Sequence, residues 1–114
     1  MQITFLGTSS GTPTRSRNVS AIALNPEGKR DWYLIDCGEG TQHRLLRAPL
    51  SLMKLRAVLI THMHGDHCYG LPGLLASAQL SGRTEPLTLI GPAALQPFLQ
   101  AMMQFSELSL EYEL

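Results

Sequence analysis

Two cysteines in 114 residues, Cys37 and Cys68, form no Cys-x-x-Cys pair and are too few for a disulfide framework, so reduced thiols are expected. No apolar run approaches the roughly 20 residues of a membrane-spanning helix, and the first residues lack the basic-then-apolar order of a signal peptide. These absences make the cytoplasm the expected compartment and exclude a membrane partner. Net charge is absent as well, with nine basic residues against nine acidic ones, which by itself argues against a nucleic-acid partner. The distribution is uneven, however. Eight of the basic residues and four of the acidic ones lie at or before Arg56, so that part carries +4 and the remainder −4. Such an imbalance suits phosphate contacts or merely a solvated surface. There is no internal repeat and no low-complexity segment, and an apolar fraction of 44% is that of one small globular domain with a modest core.

What the chain does have is concentrated in six residues, His62-Met63-His64-Gly65-Asp66-His67, which hold three of its four histidines and a carboxylate. Zinc takes nitrogen and carboxylate-oxygen ligands at close range, and the glycine lets the backbone fold so that the side chains converge. His62 and His64 are two apart, so in an extended segment they leave on the same side and can close on one metal. Asp66 and His67 are adjacent and are expected to point differently, which suggests a second metal. Solvated loop residues are the bland alternative, but this density of ligand types directly after the apolar run Ala57-Val58-Leu59-Ile60-Thr61 favours a metal site at the carboxyl end of a strand buried on both faces. His43 stands alone in a helix-like stretch and is expected to have an ordinary surface or packing role.

Around that cluster the pattern predicts strands near 2–6, 19–24, 32–36, 57–61, 87–90 and 109–114, and helices near 40–48, 71–81 and 93–105. Asn25-Pro26-Glu27-Gly28 supplies turn chemistry for a hairpin, Pro72 belongs in the first turn of a helix, and Gly82 can end it in a left-handed conformation. Strands give way to alternating strand and helix, so the class is α/β with a helix-covered sheet. Asp36, at a strand end, can accept a hydrogen bond from a ligating imidazole or cap a helix. Glu39 reads equally as a first-turn helix residue. The loop Gly7-Thr8-Ser9-Ser10-Gly11-Thr12-Pro13 offers backbone N–H groups to a phosphate or simply connects two strands; it lacks the Gly-Lys-Ser/Thr ending of a nucleotide-binding loop. Cys68 lies next to His67, either near the metals or as a small buried hydrophobe.

The His-x-His-x-Asp-His motif resembles the signature of the metallo-β-lactamase superfamily. Four further segments narrow the likeness: Phe5-Leu6-Gly7-Thr8-Ser9, Pro13-Thr14-Arg15-Ser16-Arg17-Asn18, Asp36-Cys37-Gly38-Glu39-Gly40-Thr41-Gln42 and Gly70-Leu71-Pro72-Gly73-Leu74-Leu75. Together they resemble the ribonuclease Z family over residues 1 to about 92. The resemblance implies an αββα sandwich and a zinc-dependent endoribonuclease that removes the 3′ trailer from precursor tRNA through water activated by two metal ions, with Mn2+ or Co2+ as substitutes for Zn2+. It implies metal ligation by His62, His64, Asp66 and His67, with Asp66 also the proton acceptor. It further implies substrate contacts from Arg15 and Arg17, and a homodimer in the complete protein. Arg15 stands where the family has lysine; a forked guanidinium replaces a point charge, which bears on handling of the tRNA 3′ end.

In that family the site is completed by later residues: a further histidine, a bridging carboxylate and another histidine. A later histidine also protonates the leaving oxygen, and an inserted arm grips the tRNA. Here no histidine follows His67, and Leu108-Ser109-Leu110-Glu111-Tyr112-Glu113-Leu114 reads as an unfinished strand. Residues 1–114 are therefore expected to be the N-terminal half of the domain, truncated and inactive by themselves. Two other readings stand beside this one. The first is another hydrolase of the same fold, arylsulfatase-like or cyclic-phosphodiesterase-like. The second is a non-catalytic fragment that needs a second half.

Overall fold

The computed structural model describes residues 1–114. Five strands, β1 (Gln2–Gly7), β2 (Ala21–Asn25), β3 (Trp32–Ile35), β4 (Leu55–Leu59) and β5 (Thr88–Ile90), form one sheet in sequence order. Four helices, α1 (Thr41–Leu45), α2 (Gly65–Cys68), α3 (Leu71–Leu80) and α4 (Leu95–Phe105), lie between or after them. β1, β2 and β3 pair antiparallel in turn, whereas β4 is parallel to β3 and β5 to β4. The β2–β3 hairpin turns at Gly28, whose φ of 72° a side chain would strain. Helices link the parallel strands because a parallel neighbour cannot be reached by a tight turn.

The sheet's two faces differ. Thr4, Ala23, Leu34, Val58 and Leu89 stand in one cross-strand row. Ala23, Leu34 and Val58 are fully buried there, in one core with Trp32, Leu45 of α1, Leu71, Leu74, Leu75 and Ala78 of α3, and Leu95 and Leu99 of α4. Trp32 also donates its indole N–H to the Ser51 carbonyl at 2.6 Å, so this large ring is buried with its polar atom satisfied. The adjacent row, Phe5, Ile22, Ile35, Leu59 and Ile90, points the other way, because alternate residues face opposite sides of a strand. No helix covers it: Phe5 is 66% exposed and Ile90 52%. The expectation of a β4 buried on both faces therefore holds within this chain for Ala57 and Val58, while Leu59 is only half-buried.

Most boundaries fall within two residues of those expected. Pro72 sits in the first turn of α3, and Gly82 follows the helix with φ 94°. The helix expected over 40–48 is regular only to Leu45 and continues as turns. The strand expected over 109–114 does not form. Its alternation is real, but the inward residue, Tyr112, packs on a helix and not on a strand: its hydroxyl donates to the Leu75 carbonyl at 2.7 Å, and the Glu111 N–H donates to Gln79 Oε1 at 2.7 Å. Arg83 closes the same corner. Almost wholly buried, it gives its guanidinium to the carbonyls of Glu85, Leu52 and Pro86 at 2.6–2.9 Å and lies over the Tyr112 ring.

Candidate metal centre

Parallel pairing brings the carboxyl ends of β3 and β4 to one edge of the sheet, and β1, antiparallel to β2, ends there too. The loops leaving these strands are held together by glycines with no room for a side chain. A Cβ on Gly7 would overlap the Val19 carbonyl. One on Gly38 would meet the Val19 side chain and the Asp66 carbonyl, and one on Gly70 would overlap the Gly38 carbonyl. Backbone bonds lock the stack: the Cys37 N–H donates to the His67 carbonyl at 2.8 Å, and Gly70 N–H to the Cys37 carbonyl at 2.9 Å. Main chain meeting main chain fixes the ligand turn far more tightly than side-chain packing does.

Within that frame residues 62–64 belong to no strand or helix, His64 itself being extended, and residues 65–68 then turn as α2. The His62 and His64 rings meet edge to face with centroids 4.8 Å apart. The helical turn brings His67 back to them. Its ring centroid lies 4.0 Å from that of His62, and its Nε2 is 3.3 Å from Asp66 Oδ2. The turn of α2 thus sets the His67 ring beside that of His62 and its Nε2 toward Asp66.

Asp36 braces the cluster from below. Its backbone adopts φ 61°, a left-handed conformation that aspartate tolerates better than most residues, and the carboxylate is buried. Oδ2 lies 2.7 Å from His67 Nδ1, and Oδ1 accepts the Thr61 backbone N–H at 2.8 Å. The Thr61 hydroxyl reaches both carboxylate oxygens at 2.9 Å and His62 Nδ1 at 3.0 Å. A carboxylate only accepts hydrogen bonds, so His67 Nδ1 is the donor to Asp36, while Nε2 is turned toward Asp66. Asp36 caps no helix; the residue before α1 is Gly40, in a left-handed conformation.

Asp66 is tied from above by the loop that follows β1. The Gly11 N–H donates to Asp66 Oδ2 at 2.9 Å across 55 residues of sequence. That bond is the chief reason the Asp66 carboxyl is held below its ordinary value, against the opposing effect of desolvation. The N–H that the loop offers thus goes to a carboxylate of the cluster. Arg15 and Arg17 sit farther along the same loop, exposed and in no ion pair. His43 is exposed on α1, away from the cluster. Cys68 is buried with its thiol against the Met63 carbonyl, and burial raises its pKa; Cys37, buried beside Thr41, is pushed up to about 12. Both behave as small core residues, not as ligands.

Nitrogen and carboxylate donors with a carboxylate-braced imidazole are the chemistry of a divalent-cation site. The set is partial. No three His, Cys, Asp or Glu side chains of this chain close into a group that could hold a metal by themselves. Thr61 and Gly11 are the contributors that sequence reasoning missed. A hydroxyl residue directly before the first ligand was a readable signal for the first; the second acts through its backbone and leaves no side-chain trace.

Known proteins extend this picture. A family model described as anti-Pycsar protein Apyc1 matches residues 1–107. Ribonuclease Z of Marinobacter nauticus is 59% identical over the whole of this chain, which spans 35% of that protein. Among solved structures, the short form of human tRNase Z superposes with a TM-score of 0.89 at 39% identity, over 99% of this chain and 43% of its own. The metallo-β-lactamase fold protein YhfI from Bacillus subtilis does so with a TM-score of 0.72 at 25% identity, over 86% of this chain and 40% of its own. This chain therefore spans about a third of the length of the curated relatives it matches. On the family model it belongs to the family described as anti-Pycsar protein Apyc1, and on sequence and fold it corresponds to the N-terminal part of ribonuclease Z, with a metallo-β-lactamase fold.

Proposed function

We propose that the complete gene product carrying these residues is a zinc-dependent endoribonuclease that removes the 3′ trailer from precursor tRNA. It would act in the cytoplasm as a homodimer, with Mn2+ or Co2+ as alternative ions. The observation that carries the reading is the coincidence of ribonuclease Z identity along the whole chain with the pairwise contacts among His62, His64, Asp66 and His67 on one short turn. Zinc held there would supply Lewis-acid activation of water and offset charge on the phosphoryl oxygens. The protein's own contributions are separable. His62, His64 and His67 present imidazole nitrogens, and Asp36 keeps the His67 proton on Nδ1. Asp66, with Oδ2 engaged by Gly11, turns a carboxylate to the site as ligand and proton acceptor. Arg15 and Arg17 offer cations to the RNA backbone from the same loop.

The test is cleavage of a precursor tRNA by the purified complete gene product with zinc, beside a cyclic nucleotide as competing substrate. The second substrate is included because another hydrolase of the same fold, cyclic-phosphodiesterase-like, is the competing reading. A cut after the discriminator nucleotide is expected. Asp66→Ala should abolish it with tRNA affinity held within a few-fold, whereas His62→Ala should first lower metal content and regain activity in excess metal. Hydrolysis of the cyclic nucleotide alone would replace the proposal. Near-normal turnover of Asp66→Ala at saturating metal would remove Asp66 from its role.

A further inference from the structure

The position of Thr61 assigns it a task of its own. Its hydroxyl lies 2.9 Å from both oxygens of Asp36 and 3.0 Å from His62 Nδ1, and it has a single proton to give. The carboxylate cannot donate, so the hydroxyl proton goes to Asp36, and the oxygen's lone pair is left to accept from His62. His62 Nδ1 is then the donor in that contact. Asp36 accepts from His67 Nδ1 directly. The Thr61 backbone N–H, bonded to Asp36 Oδ1 at 2.8 Å, holds the Thr61 main chain beside the same carboxylate.

We propose that Thr61 is a positioning residue that relays the buried Asp36 carboxylate to His62, so that one carboxylate sets the tautomer and ring orientation of two imidazoles on different elements. This rests on the metal reading of the cluster for its purpose but not for its test. Direct carboxylate–imidazole contacts are the usual device for fixing a ligand's tautomer. Here the sheet edge gives Asp36 access to only one ring, and the residue before the first ligand extends its reach to the second. Because both rings answer to Asp36, a change at Thr61 should alter His62 and leave His67 as it was.

The experiment is nitrogen-15 NMR of the histidine rings in the metal-free complete gene product, followed by zinc titration. In the unsubstituted protein His62 and His67 should both carry a proton on Nδ1. Thr61→Val keeps the shape and the backbone N–H but not the hydroxyl; it should shift His62 toward Nε2–H, leave His67 unchanged and weaken zinc binding by about tenfold. Thr61→Ser should restore all three. An Nε2–H tautomer for His62 in the unsubstituted protein would overturn the relay with no variant needed, which keeps the test decisive if Thr61→Val fails to fold. An unchanged His62 in Thr61→Val, or equal shifts at His62 and His67, would also overturn it. Failure to cut precursor tRNA would refute the proposed activity and leave these ring measurements intact.

Discussion

Asp36→Asn should separate the electronic role of this carboxylate from its structural one. Asparagine is nearly isosteric and tolerates the φ of 61° at this position. Its amide must be placed, however. The Thr61 N–H, 2.8 Å from Oδ1, needs an acceptor, so the oxygen takes that side and the NH2 takes the Oδ2 side, 2.7 Å from His67 Nδ1. Two donors cannot face each other, so His67 must give up the Nδ1 proton and hold one only on Nε2, the nitrogen turned toward Asp66. The reverse placement leaves the Thr61 N–H against an NH2, which costs roughly 1–3 kcal/mol. Exchanging charge-assisted bonds for neutral ones should cost about 2–3 kcal/mol of stability in total. Metal affinity should fall roughly 10- to 100-fold, the usual penalty for losing a carboxylate behind a ligating histidine. Asp36→Ala should behave differently, with a larger stability loss of roughly 3–5 kcal/mol from three orphaned donors and a strained backbone. The assay pairs denaturant unfolding with imidazole nitrogen-15 shifts and zinc titration. If His67 keeps its proton on Nδ1 in Asp36→Asn and zinc binds as before, the tautomer argument fails.

Three other expectations follow from the packing. Gly70→Ala sets a methyl against the Gly38 carbonyl in a junction made only of main chain, so it should cost more than about 3 kcal/mol or leave the protein unfolded; a melting temperature within a few degrees of the parent would contradict the glycine stack. The Cys37 thiol, ordinarily at 9.0, is raised by burial to about 12. The folded state therefore holds a proton that the unfolded chain gives up, so stability is full below pH 9.0 and is lost as pH rises toward 12, at about 1.4 kcal/mol per unit. Cys37→Ala should flatten that alkaline loss in pH-dependent unfolding. The uncovered sheet face should make the 1–114 chain self-associate, and Phe5→Lys with Ile90→Lys should yield a monomer in sedimentation with stability changed by no more than about 0.5 kcal/mol per site. A monodisperse unsubstituted chain would refute this.

The local chemistry of this protein is legible in its sequence. Apolar runs bounded by turn residues mark nearly every strand, and Pro72 and Gly82 mark the limits of α3, because these signals act within a few residues of themselves. The density of ligand-type side chains between His62 and His67 likewise marks the candidate site. What the sequence could not tell is how those side chains face. Alternation at 108–114 looks the same whether the inward residue meets a strand or a helix, and only the nearness of Leu75 and Gln79 decides for the helix. Asp66 and His67 look divergent until the turn of α2 brings His67 back against His62. Asp36 reads equally as a cap and as a brace until parallel pairing of β3 and β4 sets its carboxylate beside Thr61 and His67. Gly11 reaches Asp66 through a backbone N–H, a group that every residue except proline carries and that no pattern can single out. Proximity between residues distant in sequence is a property of the closed sheet and its glycine-packed loops, so tertiary structure alone converts a list of candidate ligands into an oriented set.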